Sequence, residues 1–302
     1  MTSVILCTFN QAKLLQRALH ALANQTLPGN AFEVIVVDDG STDGTAAVCR
    51  ESAPVLPHLH PITTGRNVGL GSAYNVGVRA ARGERLLFLD TDCIPQEDWI
   101  ERMNGALEDR PLVAGAVGNL GGSYWVTAHN IAQFHPFLPG RPAGSVRFVA
   151  GANMGICRAL LTELGGFEEG RRTASDMELI LRAARKGYRP WFAPDAIITH
   201  APEYRHSLFA VLRYASEHAR QTILLRRLHR EVLDLPITLR SASLLSLTAP
   251  LIAAAITVRI FGSNPRLWRW LHTAPVVFAA KVAWCRGAAA SLRAVPGGNA
   301  GL

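Results

Sequence analysis

Asp90-Thr91-Asp92 offers the clearest chemistry in the chain. It ends the run Arg85-Leu86-Leu87-Phe88-Leu89, which is too short for a helix and the right length for a buried strand. Two carboxylates spaced i, i+2 where a strand is ending can both turn toward one hard cation. Oxygen ligands of that kind suit Mg²⁺ or Mn²⁺, either of which would also hold substrate phosphates. Asp is equally common in turns, and Pro95 follows closely, so an isolated Asp-x-Asp would read as a turn. The elements around it decide between the two.

Residues 3–7 read as a buried strand, and 11–24 have helical spacing with Leu14, Leu15, Ala18, Leu19 and Leu22 on one face. Pro28-Gly29-Asn30 stops that helix, and Phe32 to Val37 is a second strand. Asp38 to Thr45 is a polar turn that caps a helix starting near Thr45. Another helix spans roughly 71–82, ahead of the strand 85–89. Strand, helix, strand, helix, strand predicts an α/β fold with a mostly parallel sheet and right-handed crossovers. Ligands bind such sheets at the carboxyl ends of the strands. Cys7 to Asn10, Asp38-Asp39 and Asp90 to Asp92 would converge on one crevice there.

From 110 to 150 the pattern weakens, with Gly115, Gly118, Gly121, Gly122, Tyr124, Trp125 and three prolines. This predicts irregular strands and loops closing over a site. Residues 175–187 read as a helix ending at Gly187, and 207–233 as a long amphipathic helix stopped by Pro236. Ser241 to Val258 are eighteen residues without charge, at the lower limit for a membrane span and with Pro250 near the middle. Ala274 to Ala280 is a second apolar stretch, broken by Lys281.

The chain has 302 residues, 49% of them hydrophobic, and a formal charge of +8 that comes almost wholly from Arg. A basic excess suits nucleic acid, anionic lipid or phosphorylated small molecules. No basic stripe is interleaved with aromatics, so no nucleic-acid partner is expected. Five widely spaced cysteines without a Cys-x-x-Cys pair argue against a disulfide framework or zinc site and for a reducing, cytoplasmic compartment. Met1 to Leu6 lead straight into a strand pattern, so no signal peptide is expected.

With these residues in hand, the chain from about Ser3 to Ser207 resembles the family-2 glycosyltransferases, which have the GT-A fold. Val4-Ile5-Leu6-Cys7-Thr8-Phe9-Asn10 looks like that family's first strand and nucleotide-contacting turn, with Cys7 where Pro or Thr is usual and Phe9 where Tyr is usual. Val36 to Thr45 is close to the family's most recognisable stretch, and Arg66-Asn67-x-Gly69 with Ala73, Asn75 and Gly77 is similar to its next block. Asp90-Thr91-Asp92 falls where its metal-binding motif falls. Gly151 to Met154 and Gly165 to Glu169 resemble its acceptor-side segment. Ser175-Asp176-x-Glu178-Leu179 matches the segment carrying the catalytic base, although the common Glu-Asp begins here with Ser.

The resemblance implies a metal-dependent, inverting hexosyltransferase using a nucleotide-sugar donor, UDP-linked by preference, in cell-envelope or polysaccharide synthesis. Asp39 would accept a hydrogen bond from the base; the alternative is helix capping, for which Ser41, Thr42 and Asp43 are better placed. Phe9 stacks on the base or packs. Arg66 meets the nucleotide or is a solvated loop residue. Asp90 falls to the ribose or donor sugar and Asp92 to the metal, Mg²⁺ or Mn²⁺. His200, after an apolar run, is a further metal or phosphate ligand or a hydrogen-bonded core residue. Asp176 would be the base that takes the acceptor hydroxyl proton, at a helix start where a carboxylate is also a good cap. Asn153 and Trp125 fall on the acceptor side. Arg171-Arg172 closes over the diphosphate or is a solvated loop, and Arg182 pairs with Glu178 across one helical turn.

The resulting division is a catalytic domain at 1–206, with its nucleotide-sugar half at 1–110, and a helical, apolar extension at 207–302. That extension docks on the inner face of a membrane beside a lipid-linked acceptor, packs as ordinary helices, or forms a homodimer interface. Two rival functions are a nucleotidyltransferase and a non-catalytic membrane-bound scaffold of a polysaccharide assembly complex. The first is expected to carry a glycine-rich phosphate loop after strand one, where this chain has Thr8-Phe9-Asn10-Gln11.

Overall fold

The computed structural model describes residues 1–118, 122–171, 173–233, 236–239 and 241–294. Contacts divide the chain into two compact units, Met1–Asn119 with Pro136–Ala201, and Leu120–His135 with Pro202–Leu302. The sequence reading divides it at 206/207 and leaves 120–135 in the first part.

In the first unit, β1 (Thr2–Thr8), β2 (Phe32–Asp38), β3 (Leu59–Thr63) and β4 (Arg85–Leu89) form a parallel half-sheet in the order β3-β2-β1-β4. β3, with Pro61 in its middle, is the edge strand, the position that tolerates a residue lacking an N–H. The helices α1 (Ala12–Ala23), α2 (Thr45–Ser52) and α3 (Leu70–Ala80) are the crossovers. α1 buries Leu14, Leu15, Ala18, Leu19 and Leu22, the face its spacing predicts. α3 lies close on the sheet because Gly77 has no side chain: a Cβ there would stand 2.6 Å from Ile5 Cγ2.

Beyond β4 the sheet becomes mixed. β8 (Asn153–Cys157) runs antiparallel to both β4 and β6 (Leu112–Gly118), and β6 is parallel to β9 (Trp191–His200). The short β5 (Cys93–Pro95) and β7 (Gly144–Ser145) add antiparallel to β9. α4 (Trp99–Asp109), α6 (Arg158–Glu163) and α7 (Ser175–Arg185) complete this unit.

The expectation of irregular strands and loops over 110–150 is corrected by two regular elements. β6 is a fully buried strand whose glycines hid it; Gly115 lies directly against the Asn153 amide, where no Cβ would fit. α5 (Tyr124–Phe134) belongs to the second unit and begins at Ser123, whose hydroxyl accepts from the Val126 N–H at 3.3 Å. It is buried on nearly every side, so no amphipathic period marks it. α8 (Leu208–Leu228), α9 (Ala242–Gly262) and α10 (Ala274–Ala294) make up the rest of the second unit, with a 3₁₀ stretch at Pro265–Thr273. Their shared core includes Ala219, Ile223, Leu245, Ala249, Cys285 and Ala288.

Candidate active site

Strand register builds the site. Thr8 pairs with Asp38, and Ile5 with Phe88, so continuing the second register two residues sets Cys7 beside Asp90. Burial, and then the charges of Asp90 and Asp39, push the Cys7 thiol well above the ordinary range. The three strand ends predicted to share one edge therefore do so.

Immediately after β4 the chain is tied down on each side. The Tyr74 hydroxyl donates to Asp90 Oδ1 at 3.2 Å, Thr91 hydrogen-bonds Gln11, and the Ala201 N–H donates to the Asp92 carbonyl at 2.8 Å. Because Cys93 pairs with His200, the imidazole stands beside the carboxylate, with His200 Nε2 3.4 Å from Asp92 Oδ2. Burial, then the neighbouring charge of Asp92, push the Asp90 carboxyl up to about 7, with His200 pulling the other way. A half-buried carboxylate, raised by its buried neighbour Asp92 and standing near the His200 imidazole, is an arrangement that a divalent cation would relieve, and its oxygen and nitrogen donors suit Mn²⁺ or Mg²⁺. Among the described residues no group of three or more His, Cys, Asp or Glu could hold an ion unaided.

Asp39 is buried and ties down a loop. Its Oδ1 accepts from Thr64 Oγ1 at 3.0 Å and the Val68 N–H at 2.8 Å, and Oδ2 from the Gly69 N–H at 3.1 Å. A carboxylate offers about four acceptor positions, so one remains after these three. Sequence reasoning missed this anchoring role, since nothing in Asp38-Asp39 points thirty residues ahead. Helix capping falls instead to Asp43, which accepts from the Ala12 N–H at 3.0 Å and the Thr45 N–H at 3.1 Å, joining the starts of α1 and α2. Gly40, at φ +83°, must be glycine twice over: a Cβ would also lie 2.7 Å from the Arg66 carbonyl carbon. Phe9 and Arg66 are exposed on these loops.

Asp176 is the second residue of α7, behind Ser175 and the N-cap Ala174, whose backbone is left-handed at φ 56°, so it lies in the first turn and is not the cap. Burial raises the Asp176 carboxyl, while N–H groups of Met177, Asp176 itself and Gly151 hold it down. Asp176 also raises both Asp90 and Tyr74, which places the base candidate with the donor-side carboxylates. Tyr74 is central, its ring centroid 5.0 Å from those of both Phe88 and Phe167. Asn75 clamps Phe167 through both backbone groups at 2.9 Å. Arg182 pairs with Glu178 as expected, at 2.6 Å and 2.7 Å, and also donates to the carbonyls of Leu164 and Gly166. The loop 164–167 is thereby fixed to α3 on one side and α7 on the other.

One expected acceptor contact is corrected. Asn153 is wholly buried, its Nδ2 donates to the carbonyls of Ala116 and Ala196 at 2.9 Å each, and its Oδ1 accepts from Trp99 Nε1 at 2.8 Å. Its amide is spent on joining β6, β8, β9 and α4, so it supports the sheet and has no donor left for a ligand. Trp125 lies on α5 in the second unit, packed edge-to-face on Tyr124 at 4.9 Å. Arg171 is paired with Glu168 at 2.6 Å, and Arg172 lies outside the described residues.

A half-parallel, half-mixed sheet with paired carboxylates at the switch between its halves is a GT-A architecture. The profile described as Glycosyl transferase family 2 matches residues 3–165, more than half of the chain, and the chain belongs to that family. It is 29% identical over 202 residues to the glycosyltransferase AglE of Haloferax volcanii, covering 66% of each chain. It is 29% identical over 218 residues to the pre-mycofactocin glycosyltransferase of Mycobacterium tuberculosis, covering 66% of this chain and 42% of that one. The match therefore spans about two-fifths to two-thirds of the length of these relatives. Among solved structures, the mannosyltransferase PcManGT of Pyrobaculum calidifontis, in complex with GDP-Man and Mn2+, superposes with a TM-score of 0.61 at 23% identity, covering 92% of this chain and 85% of that one. TarS of S. aureus in complex with UDP-GlcNAc gives 0.57 at 20% identity, covering 94% and 90%.

Proposed function

We propose that the enzyme transfers a hexose, with inversion, from a nucleotide-sugar donor to an acceptor hydroxyl, Asp176 being the general base. The observation that carries this reading is the position of Asp176, raised by burial and close enough to Asp90 to raise it in turn. Removal of the acceptor hydroxyl proton as its oxygen attacks the anomeric carbon calls for a carboxylate poised in this way. As the anomeric bond to the diphosphate breaks, negative charge collects on the departing nucleotide.

Asp92 and His200 would hold Mn²⁺ or Mg²⁺, with Asp90 beside them, and the cation would offset that charge as a Lewis acid. The phosphates of a bound donor would complete its coordination. Cys7 near the end of β1, Phe9 and Asp39 just beyond β1 and β2, and Arg66 on the loop beyond β3 mark where the nucleotide lies in this reading. Phe9 offers its exposed ring to the base, and Asp39 offers its remaining acceptor position. UDP is the preferred carrier, because one remaining acceptor position suits the single ring N–H of uracil, whereas guanine presents a ring N–H and an amino group side by side. The GDP-linked donor in one structural relative makes guanine the first comparison.

The test is nucleoside diphosphate release from a panel of UDP- and GDP-sugars with Mn²⁺, together with the anomeric configuration of the product by NMR. Release from at least one donor with inverted configuration supports the reading. Tight donor binding without turnover across the panel would favour a scaffold.

A further inference from the structure

We propose that the outer face of α9 and the 3₁₀ stretch after it form a docking surface for an anionic membrane, with α9 lying in the plane of the lipid headgroups. The proposal does not depend on the catalytic reading. The charge of the chain is divided sharply. Residues 202–302 carry thirteen Arg or Lys and four Asp or Glu, a balance of +9, whereas residues 1–201 carry eighteen and nineteen, a balance of −1. The whole basic excess therefore resides in the C-terminal part.

That part also presents an apolar stripe. Leu247 is 79% exposed, Leu251 74% and Val258 72%, and Ser243, Pro250 and Ala254 are exposed between or beside them. At 3.6 residues per turn and 1.5 Å rise these positions share one side of the helix over about 22 Å. Three of the hydroxyls of α9 are already satisfied within it. Ser246, Thr248 and Thr257 return their hydroxyls to the carbonyls four residues back, at 2.9 Å, 2.7 Å and 2.8 Å. At its C-terminal end come exposed Arg259, Arg266, Trp268, Arg269 and Leu271. Trp268 donates its indole N–H to the Phe261 carbonyl at 3.0 Å and leaves its ring largely open. Apolar, aromatic and Arg side chains together fit the boundary between acyl chains and anionic headgroups.

α9 is also long and apolar enough to cross a membrane, with a mean hydropathy of 1.9 over its most apolar window. Its other face decides for the in-plane arrangement. Leu245 and Ala249 pack on Ala219 and Ile223 of α8 and on Cys285, Ala288 and Leu292 of α10. Arg293 of α10 donates to Ser246 Oγ at 2.7 Å. A crossing would carry the charges of α8 and α10 into hydrocarbon, which is costly.

Flotation of the full chain with vesicles tests this, using phosphatidylcholine alone and phosphatidylcholine mixed with phosphatidylglycerol. The expected result is flotation with the anionic vesicles only, weakened by salt and released by carbonate. Leu251→Glu, on an exposed position that leaves the core intact, lowers the bound fraction about tenfold or more. Arg266→Gln with Arg269→Gln lowers it about fivefold per charge. Failure to float with anionic vesicles, retention through carbonate, or wild-type binding by both variants would each overturn the proposal. So would a soluble dimer that Leu251→Glu dissociates in the absence of vesicle binding.

Discussion

Gly151 and Asp176 fit as one piece: a Cβ at Gly151 would lie 2.6 Å from Asp176 Oδ2, and the Gly151 N–H donates to that carboxylate. The carboxylate occupies the space that a side chain would need. Two residues on, Asn153 is locked into the sheet by three hydrogen bonds. The position of this carboxylate is thus referred to the start of β8, which is bonded into the sheet, although Asp176 itself lies in the first turn of a helix behind the left-handed Ala174.

Gly151→Ala should displace Asp176 and lower transfer about tenfold or more, because misplacing a catalytic group by about 1 Å costs up to ~10²-fold. Nucleotide affinity should be unchanged, since the three atoms nearest an added Cβ all belong to Asp176. Steady-state kinetics beside a UDP titration checks it, and a parallel loss of both would mean that the substitution disturbs the whole site.

Asp92→Ala should abolish metal-dependent donor binding while leaving the fold intact. Calorimetric titration of UDP with Mn²⁺ is the measurement. Metal-dependent affinity equal to wild type would take Asp92 out of the site.

Asn153→Ala should cost about 3 kcal/mol or more of stability, because the Trp99 indole N–H and the carbonyls of Ala116 and Ala196 would be left buried without a partner. Urea unfolding reads it directly. An acceptor KM that rises at unchanged stability would restore the acceptor-contact reading.

Much of the parallel half was legible, because β1, β2 and β4 are apolar runs bounded by polar turns and α1 shows its buried face as a 3.6-residue period. The carboxylates of Asp90 and Asp92 were legible as strand-end residues for the same reason, lying where β4 ends. β6 escaped notice because its glycines look like loop residues until Asn153 is seen filling the space beside Gly115. α5 escaped because a helix buried all round has no amphipathic period. Tyr74 also went unremarked. It sits mid-helix as an ordinary core aromatic in the sequence, and only the fold brings its hydroxyl to Asp90.

His218 in the second unit predicts acid sensitivity. Burial, then the charges of Arg226 and Lys281, hold its imidazole down at about 4, against an ordinary 6.5. The unfolded chain therefore takes up this proton first as pH falls. The contribution to stability is full above about pH 6.5 and is lost as pH drops toward 4. Thermal melts across that range should fall for the wild type and flatten for His218→Phe. Equal slopes in the two proteins would show that the group is solvated.

The central claim is that Asp176 takes the acceptor proton, and its most direct test pairs donor affinity with transfer rate in Asp176→Asn. The account predicts unchanged nucleotide-sugar affinity with Mn²⁺ and transfer lowered by ~10²-fold or more, the scale of a lost general base. Near wild-type turnover in this variant would contradict it and leave Asp176 as a structural carboxylate in the first turn of α7.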